Sequence, residues 1–456
     1  MRLFIENSLT TLVDPSSSDR VAVREALAYD RIVGRGKIVR DSHLNMAADC
    51  FLTGYLPFVL EKLAGIGILP EILDGRKAPP RGMGNSSWLR DYQKEALAAM
   101  QAKQRGIVSM VTGSGKTEVF TSFLSGFDCD ILVLTPGTSL MHQTADRVAK
   151  RLQMTPGKVG DGCAAYKADL LVGIPESVFN HMDEINLSRF GVVIADEVHG
   201  AATEVFQGIL SRCTEAFYRF GFSATPLDRT DGRNAPIIGQ LGKVIYELSP
   251  AEAIKRGIIA EPKVEMVRYA SPVSPKSRVS ESWADMHDEM ISQNADRDRV
   301  IVELLRVAEG PILLFVKELD HVVRLTQSAT LAGIPAVYVI GSMGKKQREK
   351  AVNLLVSGAA KVLIATSAFR QAVDIPQIKT VMNTGGGESL IDAVQKLGRG
   401  TRLASGKSSV RIIDIADTGC VNCAGGFIHS ACKAVASHSG VRRYHYASAG
   451  FSVREV

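Results

Sequence analysis

The sequence lacks short-period repeats and low-complexity tracts, and its first residues do not favour an export leader. Near its start, Glu6 and Asn7 interrupt the apolar residues before they reach the length of a signal-peptide core, so export is not expected. Structural disulfides are not expected either, because seven cysteines is an odd number and no export signal accompanies them. These absences favour a globular chain with reduced thiols in the cytoplasm.

A long uninterrupted apolar run is also absent. The stretch 51–69 comes nearest to one, but Glu61 and Lys62 lie near its middle. In a membrane each of these charges would cost about 2.5 to 3.5 kcal/mol. We therefore predict that this stretch forms a buried amphipathic helix, which ends near Gly65 or Gly67, and that it does not span a membrane.

The sequence has no large excess of one charge. Its 54 lysines and arginines stand against 48 acidic residues, a net charge of +6 that allows polyanion binding without demanding it. Of the 456 residues, 45% are hydrophobic and 22% are charged, as in globular proteins. A chain of this length is expected to form about two or three domains.

Apolar runs that alternate with helical patterns dominate the sequence after residue 87. Before them, Pro, Gly and Ser concentrate in the stretch 77–87, which is typical of a linker; we place an N-terminal module at 1–80 and the linker at 81–87. The alternation predicts βαβ units and a parallel sheet. The first series of predicted strands is GIVSMV, DILVLTP, DLLVGIP, GVVIADE and YRFGFSAT.

A second series of the same kind follows a Ser- and Pro-rich interval near residues 271–282. Its predicted strands are GPILLFV, AVYVIG, KVLIAT, TVMNTG and VRIIDI. The predicted fold class is therefore α/β, with two tandem parallel-sheet lobes at 88–260 and 261–456. The N-terminal module is expected to be a small α/β unit.

The stretch MVTGSGKTEVF suggests a phosphate-binding loop between a strand and a helix. Gly113 and Gly115 let backbone N–H groups approach phosphate oxygens, and the start of the helix adds its partial positive charge. Lys116 would reach the β- and γ-phosphates, and the Thr117 hydroxyl would ligate Mg²⁺. The strict pattern has glycine where this chain has Met110, so a glycine-rich turn with an accidental lysine is the alternative. The nucleotide-binding candidates of the loop are Thr112, Gly113, Ser114, Gly115, Lys116 and Thr117.

The stretch GVVIADEVH brings two carboxylates to the end of a buried strand. Ligands of open α/β sheets bind at that end of the strands. Asp196 suits the shell of Mg²⁺, and Glu197 suits activation of the attacking water in phosphoryl transfer. By itself such a pair is often only a solvated strand end, but its position about 80 residues after the loop favours a nucleotide site.

Four motifs occur in the order and lobe placement of superfamily 2 helicases. The chain resembles a DExH-type member of that family in TGSGKT at 112–117, DEVH at 196–199, SAT at 223–225 and QKLGRGTR at 395–402. Weaker matches are LRDYQ at 89–93, LTPGTSLMHQ at 134–143, GIPES at 173–177 and ATSAFRQAVDIP at 365–376. The resemblance covers roughly 70% of the chain, from Trp88 to about Asp414, and implies RecA-like lobes.

The resemblance implies ATP and Mg²⁺ as cofactors. Arg90 and Gln93 would contact the adenine, and an amide that both donates and accepts suits its N6 and N7 edge. Arg399 and Arg402, three apart on a helix, would both reach the γ-phosphate as arginine fingers. Gln395 would lie one turn earlier, and Asp374 would contact the ribose or an arginine.

The resemblance also implies residues that couple ATP binding to a nucleic-acid strand and residues that hold that strand. His199, Ser223 and Thr225 are the coupling candidates. Backbone contacts are expected from Thr135, Thr138, Gln143, Ser177 and Thr366, although each hydroxyl could instead serve a local turn. Basic candidates, each of which could also be an ordinary solvated face, are Arg31, Arg35, Lys37 and Arg40; Lys345, Lys346 and Arg348; and Arg442 and Arg443 beside Tyr444 and Tyr446.

The N-terminal stretch FLTGYLPFVLEKLAGIGI and the segment after SATP resemble UvsW-like phage helicases, which process branched DNA. This implies an ATP-dependent DNA helicase or translocase that migrates forks or Holliday junctions in recombination, repair or replication. The expected partner is branched or duplex DNA, bound by a monomer in the host cytoplasm, and the expected source is a T5-like phage. An RNA helicase and a nucleotide-gated binding protein that does not hydrolyse ATP remain alternatives.

Cysteines and histidines gather near the C-terminus. Cys420 and Cys423 form a Cys-x2-Cys step, and Cys432, His429 and His438 follow closely. Such a step can begin a zinc site, which needs four ligands. The later spacing matches no familiar zinc finger, so independent buried or surface thiols are favoured over zinc at Cys420, Cys423 and Cys432.

Overall fold

The structure is a computed structural model in which two compact units are defined. One comprises Met1–Met110 with Gly115–Glu247, and the other comprises Val111–Ser114 with Leu248–Val456. The N-terminal module thus belongs to the same unit as the first lobe, and the four-part division made from the sequence remains a proposal. The structure describes residues 1–33, 37–82, 84–198, 203–224, 227, 234–276, 282–366, 375, 377–387, 409–423 and 429–456, with the side chains of 30–33, 37–39 and 345 excepted.

The N-terminal module is a small α/β unit, as predicted. Its four-stranded sheet has the order β5-β2-β1-β6, in which only the β1–β6 pair is parallel, and β3 and β4 form a separate antiparallel hairpin. The elements are β1 (Arg2–Ile5), β2 (Leu9–Val13), α1 (Ser17–Ala26), β3 (Ala28–Val33), β4 (Lys37–Ser42), β5 (Cys50–Leu52), α2 (Leu56–Gly65) and β6 (Glu71–Asp74).

Helix α2 confirms the helix predicted in the apolar stretch 51–69. It ends at Gly65 and buries Leu56, Val59 and Leu63, which recur at the spacing of one helical face. Glu61 lies on the exposed side of the same helix. In the described part of the chain, no helix combines the length and the apolar character that crossing a membrane requires.

The first lobe is built on an eight-stranded sheet of order β10-β9-β11-β8-β12-β13-β7-β14. The pairs along β9, β11, β8, β12, β13 and β7 are all parallel. The elements are α3 (Asp91–Gln101), β7 (Arg105–Met110), α4 (Lys116–Leu124), β8 (Ile131–Leu134), α5 (Thr138–Leu152), β9 (Gly157–Gly160), β10 (Cys163–Ala164), β11 (Leu170–Gly173), α6 (Pro175–Asn180), β12 (Val192–Asp196), α7 (Glu204–Arg212), β13 (Tyr218–Ser223), α8 (Asn234–Leu241) and β14 (Val244–Leu248).

The second unit carries a seven-stranded, all-parallel sheet of order β17-β18-β16-β19-β20-β15-β21. Its elements are α9 (Pro250–Lys255), β15 (Glu261–Ser271), α10 (Trp283–His287), α11 (Ala295–Val307), β16 (Ile312–Val316), α12 (Leu319–Leu331), β17 (Ala336–Val339), α13 (Lys345–Val356), β18 (Val362–Thr366), β19 (Thr380–Asn383), β20 (Ser409–Cys420), α14 (Ser430–Ser448) and β21 (Ser452–Glu455).

All ten strands that were predicted from apolar runs are present. In the first lobe they are β7, β8, β11, β12 and β13, and in the second unit they are β16 to β20. Central strands such as β8 and β16 are buried at every position, because helices cover both faces of a parallel sheet. Strand β15 was not predicted, since EPKVEMVRYAS alternates charged and apolar residues and lies in a region taken for a boundary.

Two close approaches fix the N-terminal module to the first lobe. A Cβ atom at Gly54 would lie 2.1 Å from the backbone oxygen of Ile238, and one at Gly239 would lie 2.7 Å from Leu52 Cδ1. The buried Arg219 of β13 also donates to the Ser8 hydroxyl at 2.6 Å. The module therefore depends on glycine at this contact with α8.

We expect Gly54→Ala to destabilise the protein by about 1 to 3 kcal/mol, because the added methyl group has no space against the α8 backbone. Thermal unfolding and limited proteolysis of the region 1–80 would measure this. Gly65→Ala is the matched control: no atom lies within 4 Å of its Cβ, and it ends a helix without a positive φ. Equal stability of the two variants would contradict the proposed contact.

Candidate nucleotide and nucleic-acid site

The predicted phosphate loop lies between β7 and α4. Gly113 and Gly115 have φ angles of 87° and 85°, in the left-handed region that favours glycine. The Ser114 hydroxyl donates to the carbonyl oxygen of Val111 at 2.7 Å and so closes the turn. Gly115 is the N-cap of α4, so the loop leads directly into the N-terminus of a helix, where backbone N–H groups are available to an anion.

Two hydroxyl side chains of the loop are buried and are therefore poorly placed to bind phosphate directly. The Thr112 hydroxyl is buried and has no hydrogen-bond partner among the residues that the structure describes. The Ser114 side chain is also buried, and its hydroxyl already donates to the carbonyl oxygen of Val111. Nucleotide contacts from Thr112 and Ser114 would therefore have to come from their backbone N–H groups, as in other phosphate-binding nests, and their assignment as nucleotide-binding residues stays a prediction.

Gln93 lies against this loop. Its side chain is buried, and a Cβ atom at Gly115 would lie 2.4 Å from Gln93 Nε2. The Gln93 Oε1 atom accepts a hydrogen bond from the backbone N–H of Arg90 at 2.9 Å, which orients the amide. The structure thus brings the predicted adenine-binding residue and the loop together, and it leaves the Arg90 side chain exposed at the start of α3.

Lys116 meets the carboxylates predicted at the end of β12. Its Nζ atom lies 3.2 Å from Glu197 Oε1, although 81 residues separate the two in sequence. Asp196 Oδ1 accepts from the Glu197 backbone N–H at 3.0 Å. Glu197 has a φ of 53°, which is strained for a residue with a side chain and is typical of functional positions.

The donor groups in this region suit Mg²⁺. Asp196 is buried at the end of its strand, and Thr117 is the second residue of α4 and half-exposed. A carboxylate and a hydroxyl are hard oxygen ligands, and Mg²⁺ is usually held in proteins by one or two such groups together with substrate phosphates. These residues therefore fit the ion that the sequence predicted, with Lys116 beside them for the phosphates.

The remaining candidates of the first lobe follow neighbouring strands. Ser177 comes after β11, Thr135 after β8, and Ser223 ends β13, while Asp196 ends the strand between the last two. Because these strands are parallel, their carboxyl ends meet along one edge of the sheet. Thr135 is fully buried, and its hydroxyl has no hydrogen-bond partner within the described residues.

Two further candidates of this lobe lie on α5. Thr138 is its first residue and is exposed, and Gln143 is exposed further along the same helix. Both side chains are therefore available to a nucleic-acid backbone. In the second unit, Thr366 is the last residue of β18 and is buried. A nucleic-acid strand would therefore have to approach it at the carboxyl end of β18.

Several predicted site residues lie outside the described part of the chain. These are Arg35, His199, Thr225, Asp374, Gln395, Arg399 and Arg402. Arg31 and Lys37 are placed on β3 and β4 by their backbones alone. The fourth residue of that basic group, Arg40, is exposed and lies 3.0 Å from Glu25 in a surface ion pair.

The basic group predicted around Arg442 is wrong in part. Arg442 and Tyr446 are buried in α14, and both bind Asp414 of β20, at 2.8 Å and 2.6 Å respectively. Burial, followed by the charge of Asp414, raises the pKa of Tyr446 well above its usual value. These two side chains hold the helix to the sheet, whereas Arg443 and Tyr444 are exposed.

The cysteines and one histidine that the sequence places near the C-terminus come together as one cluster, although independent thiols were favoured over zinc there. Cys420, Cys423, His429 and Cys432 place one sulfur or ring nitrogen each within 4.8 Å of all the others. The Cys-x2-Cys step was the available signal, but the spacing to His429 and Cys432 matches no familiar finger. Their grouping is a tertiary feature, because it depends on how the start of α14 lies against the end of β20.

Two known families match the chain. Residues 87–228 match the type III restriction enzyme res subunit, and residues 296–404 match the helicase conserved C-terminal domain. The two matches follow the order of the two predicted lobes. The first match begins just before α3, and the second begins in α11.

Among curated proteins, the chain is similar to a DNA translocase and to DNA helicases. It is 26% identical over 353 residues to the DNA 3'-5' translocase XPB2 of Sulfurisphaera tokodaii, covering 68% of this chain and 78% of that protein. It is 22% identical over 343 residues to the ATP-dependent DNA helicase uvsW of Enterobacteria phage T4, covering 72% and 68%. In several other helicase relatives the match spans only between 51% and 64% of their length.

A solved structure supports the architecture. The fragment of a putative HsdR subunit of a type I restriction enzyme from Vibrio vulnificus YJ016 has a TM-score of 0.59 at 19% identity. The alignment covers 92% of this chain and 76% of that one. At such identity the likeness concerns the fold alone, which is α/β with tandem RecA-like lobes as predicted.

We expect Gly115→Ala to weaken ATP binding strongly, because its methyl group would displace Gln93 and its φ of 85° is unfavourable for alanine. Titration with a fluorescent ATP analogue would measure the affinity. Gly162→Ala is the matched control, with a φ of 76° but no atom within 4 Å of its Cβ. Both carry a similar backbone cost of about 1 to 2 kcal/mol, so an equal loss of affinity would contradict a role for the Gln93 contact.

Proposed function

Because the chain belongs to the superfamily 2 helicases, we propose that it couples ATP hydrolysis to movement along branched DNA, migrating forks or Holliday junctions. The observation that carries this proposal is the edge of the first sheet, where Lys116 and Glu197 lie 3.2 Å apart beside the phosphate loop and Asp196. This arrangement contains the groups that phosphoryl transfer requires from one lobe.

The proposed roles follow from the chemistry of each residue. Lys116 and the backbone N–H groups of 112–117 bind the phosphates, and Thr117 and Asp196 would hold Mg²⁺, which neutralises charge on the phosphates. Glu197 accepts a proton from the attacking water. Gln93 selects adenine from its buried position against the loop.

The second lobe is proposed to complete the reaction. Arg399 and Arg402 would supply guanidinium groups to the γ-phosphate, and Gln395 and Asp374 would contact the nucleotide or its water. Planar guanidinium groups suit the charge that develops in the transition state, and a finger can be worth about 10³ to 10⁵ in rate. His199, Ser223 and Thr225 would link this step to the nucleic acid.

The nucleic acid is proposed to be DNA held by its backbone. Thr135, Thr138, Gln143, Ser177 and Thr366 offer hydroxyl and amide groups, which position a strand without reading its sequence. Relatives named as DNA helicases and translocases support DNA over RNA. Branched DNA is supported by the likeness to the phage T4 helicase and by the N-terminal module, whose strands β3 and β4 carry Arg31, Lys37 and Arg40.

Finer assignments remain predictions. They are the DExH subtype, the T5-like phage source, the monomeric state and the roles of individual residues. The oligomeric state of the purified protein in solution would test the monomeric state, and site variants would test the roles of individual residues.

We expect Lys116→Ala to abolish ATP turnover while DNA affinity is largely kept, because the lysine contacts phosphate and not DNA. Glu197→Gln should retain ATP binding and lower turnover about 10²- to 10⁴-fold, because the amide cannot accept a proton. Steady-state ATPase assays with ATP-analogue binding would separate the two effects. Lys103→Ala is the control, since Lys103 is exposed before the amino end of β7, away from the loop.

We expect turnover to be low without nucleic acid and to rise most with branched DNA. The measurement uses forks, four-way junctions, linear duplexes and single-stranded RNA of matched sequence at one stated salt concentration, since phosphate contacts make affinity salt-dependent. Preferential stimulation by RNA would favour an RNA helicase. Absence of turnover with every nucleic acid would favour a nucleotide-gated binding protein.

A further inference from the structure

We propose that Cys420, Cys423, His429 and Cys432 form a structural zinc site that fastens the end of β20 to the start of α14. This site lies in the second unit and takes no part in ATP hydrolysis. Its four side chains are a Cys3His set, which is one of the usual ligand sets of structural zinc.

The distances among Cys420, Cys423 and His429 fit one tetrahedral ion, and Cys432 Sγ lies within 4.8 Å of the other three ligand atoms. Cys420 Sγ lies 3.8 Å from Cys423 Sγ and 3.8 Å from His429 Nδ1, and Cys423 Sγ lies 3.4 Å from the same nitrogen. Zinc bonds of about 2.3 Å to sulfur and 2.0 to 2.1 Å to nitrogen place tetrahedral sulfurs about 3.8 Å apart, and sulfur and nitrogen about 3.5 Å apart. The observed separations agree with both values within a few tenths of an ångström.

The four ligands lie on the end of β20, the turn after it and the start of α14. Cys420 ends β20, Cys423 ends the single helical turn Val421–Cys423, and Cys432 lies in the first turn of α14 behind its N-cap, His429. Gly419 makes the approach possible, because a Cβ atom there would lie 2.9 Å from Cys432 Cβ and its φ is 100°.

The surroundings of the sulfurs suit a closed metal site. All three thiols are buried, against Met290, Ile291 and Val435 among other apolar residues. Outside the four ligands, the Ser274 hydroxyl lies 3.7 Å from Cys420 Sγ and accepts from Asn422 Nδ2 at 2.8 Å. Such outer contacts orient ligands.

A disulfide and a set of space-filling thiols both fit the geometry less well than zinc does. A disulfide between Cys420 and Cys423 needs sulfurs about 2.05 Å apart, against the 3.8 Å observed. Thiols that only filled space would not require His429 Nδ1 to lie within 3.8 Å of both Cys420 Sγ and Cys423 Sγ. Soft thiolate ligands also exclude the Mg²⁺ of the proposed ATP site.

A metal here would stabilise one particular contact. Helix α14 carries Arg442, whose guanidinium binds the buried Asp414 of β20. The proposed zinc ties the same helix to the same strand at the other end of their contact. It therefore holds α14 in register on the second sheet, with four protein ligands and no open position for substrate.

The test is the metal content of the full chain, purified without chelators from zinc-supplemented medium. We expect inductively coupled plasma mass spectrometry to find about one zinc per chain. Cys423→Ser should lower zinc content at least severalfold, and Cys163→Ser should leave it unchanged, because Cys163 lies on β10 away from the cluster. Zinc retained fully by Cys423→Ser would overturn the proposal.

Wild-type protein alone decides the matter if Cys423→Ser does not fold. Exchange of the metal for Co²⁺ should produce the thiolate charge-transfer bands and intense visible bands of tetrahedral cobalt, and a mercurial thiol reagent should release the metal. Absence of zinc together with absence of the cobalt spectrum would overturn the site. So would a Cys420–Cys423 disulfide found by peptide mass mapping of the freshly purified protein.

Discussion

Parallel pairing of the central strands of the first sheet is the constraint on which the site depends. Parallel neighbours end on the same side, so whatever follows β11, β8, β12, β13 and β7 is collected along one edge. Residues as distant in sequence as Lys116 and Glu197 thereby come within 3.2 Å. The helices supply the cover that lets these strands be wholly apolar, and the polar chemistry is confined to their ends.

Burial of charge gives that edge its chemical character. Lys116 is only 8% exposed, so a lysine there is acceptable only beside a carboxylate or a phosphate. The strained φ of Glu197 and the left-handed φ of Gly115 each cost conformational free energy at this edge of the sheet. The rest of the sheet, with its continuous apolar strands, offsets such costs, which is the usual relation between a site and its scaffold.

The second unit uses buried charge for a different purpose. Arg442 binds Asp414, and Arg297 binds Asp417, so two residues of one strand each hold a helix by a buried ion pair. Removing one partner of such a pair costs about 3 to 5 kcal/mol, since the other charge is left buried. The cluster of cysteines and His429 lies just beyond these pairs on the same strand and helix. The two ion pairs thus tie α14 and α11 to β20.

Local patterns in the sequence determined the strands, the helix 56–65, the phosphate loop and the carboxylate pair. Each of these depends on residues that are close in sequence: runs such as ILVL for a strand buried on both faces, and paired glycines for a left-handed turn. Strand β15 was not predicted because its charged residues alternate with apolar ones.

Only the tertiary structure decided which side chains meet. In sequence, Arg442 and Tyr446 resemble residues of a basic, aromatic surface. In the fold both hydrogen-bond the buried Asp414 and belong to the core. The glycine contact of Gly54 with α8 and the grouping of Cys420, Cys423, His429 and Cys432 likewise depend on elements brought together by the fold. A sequence shows which groups a residue can offer, but partners far apart in the chain become neighbours only when sheets and helices are assembled.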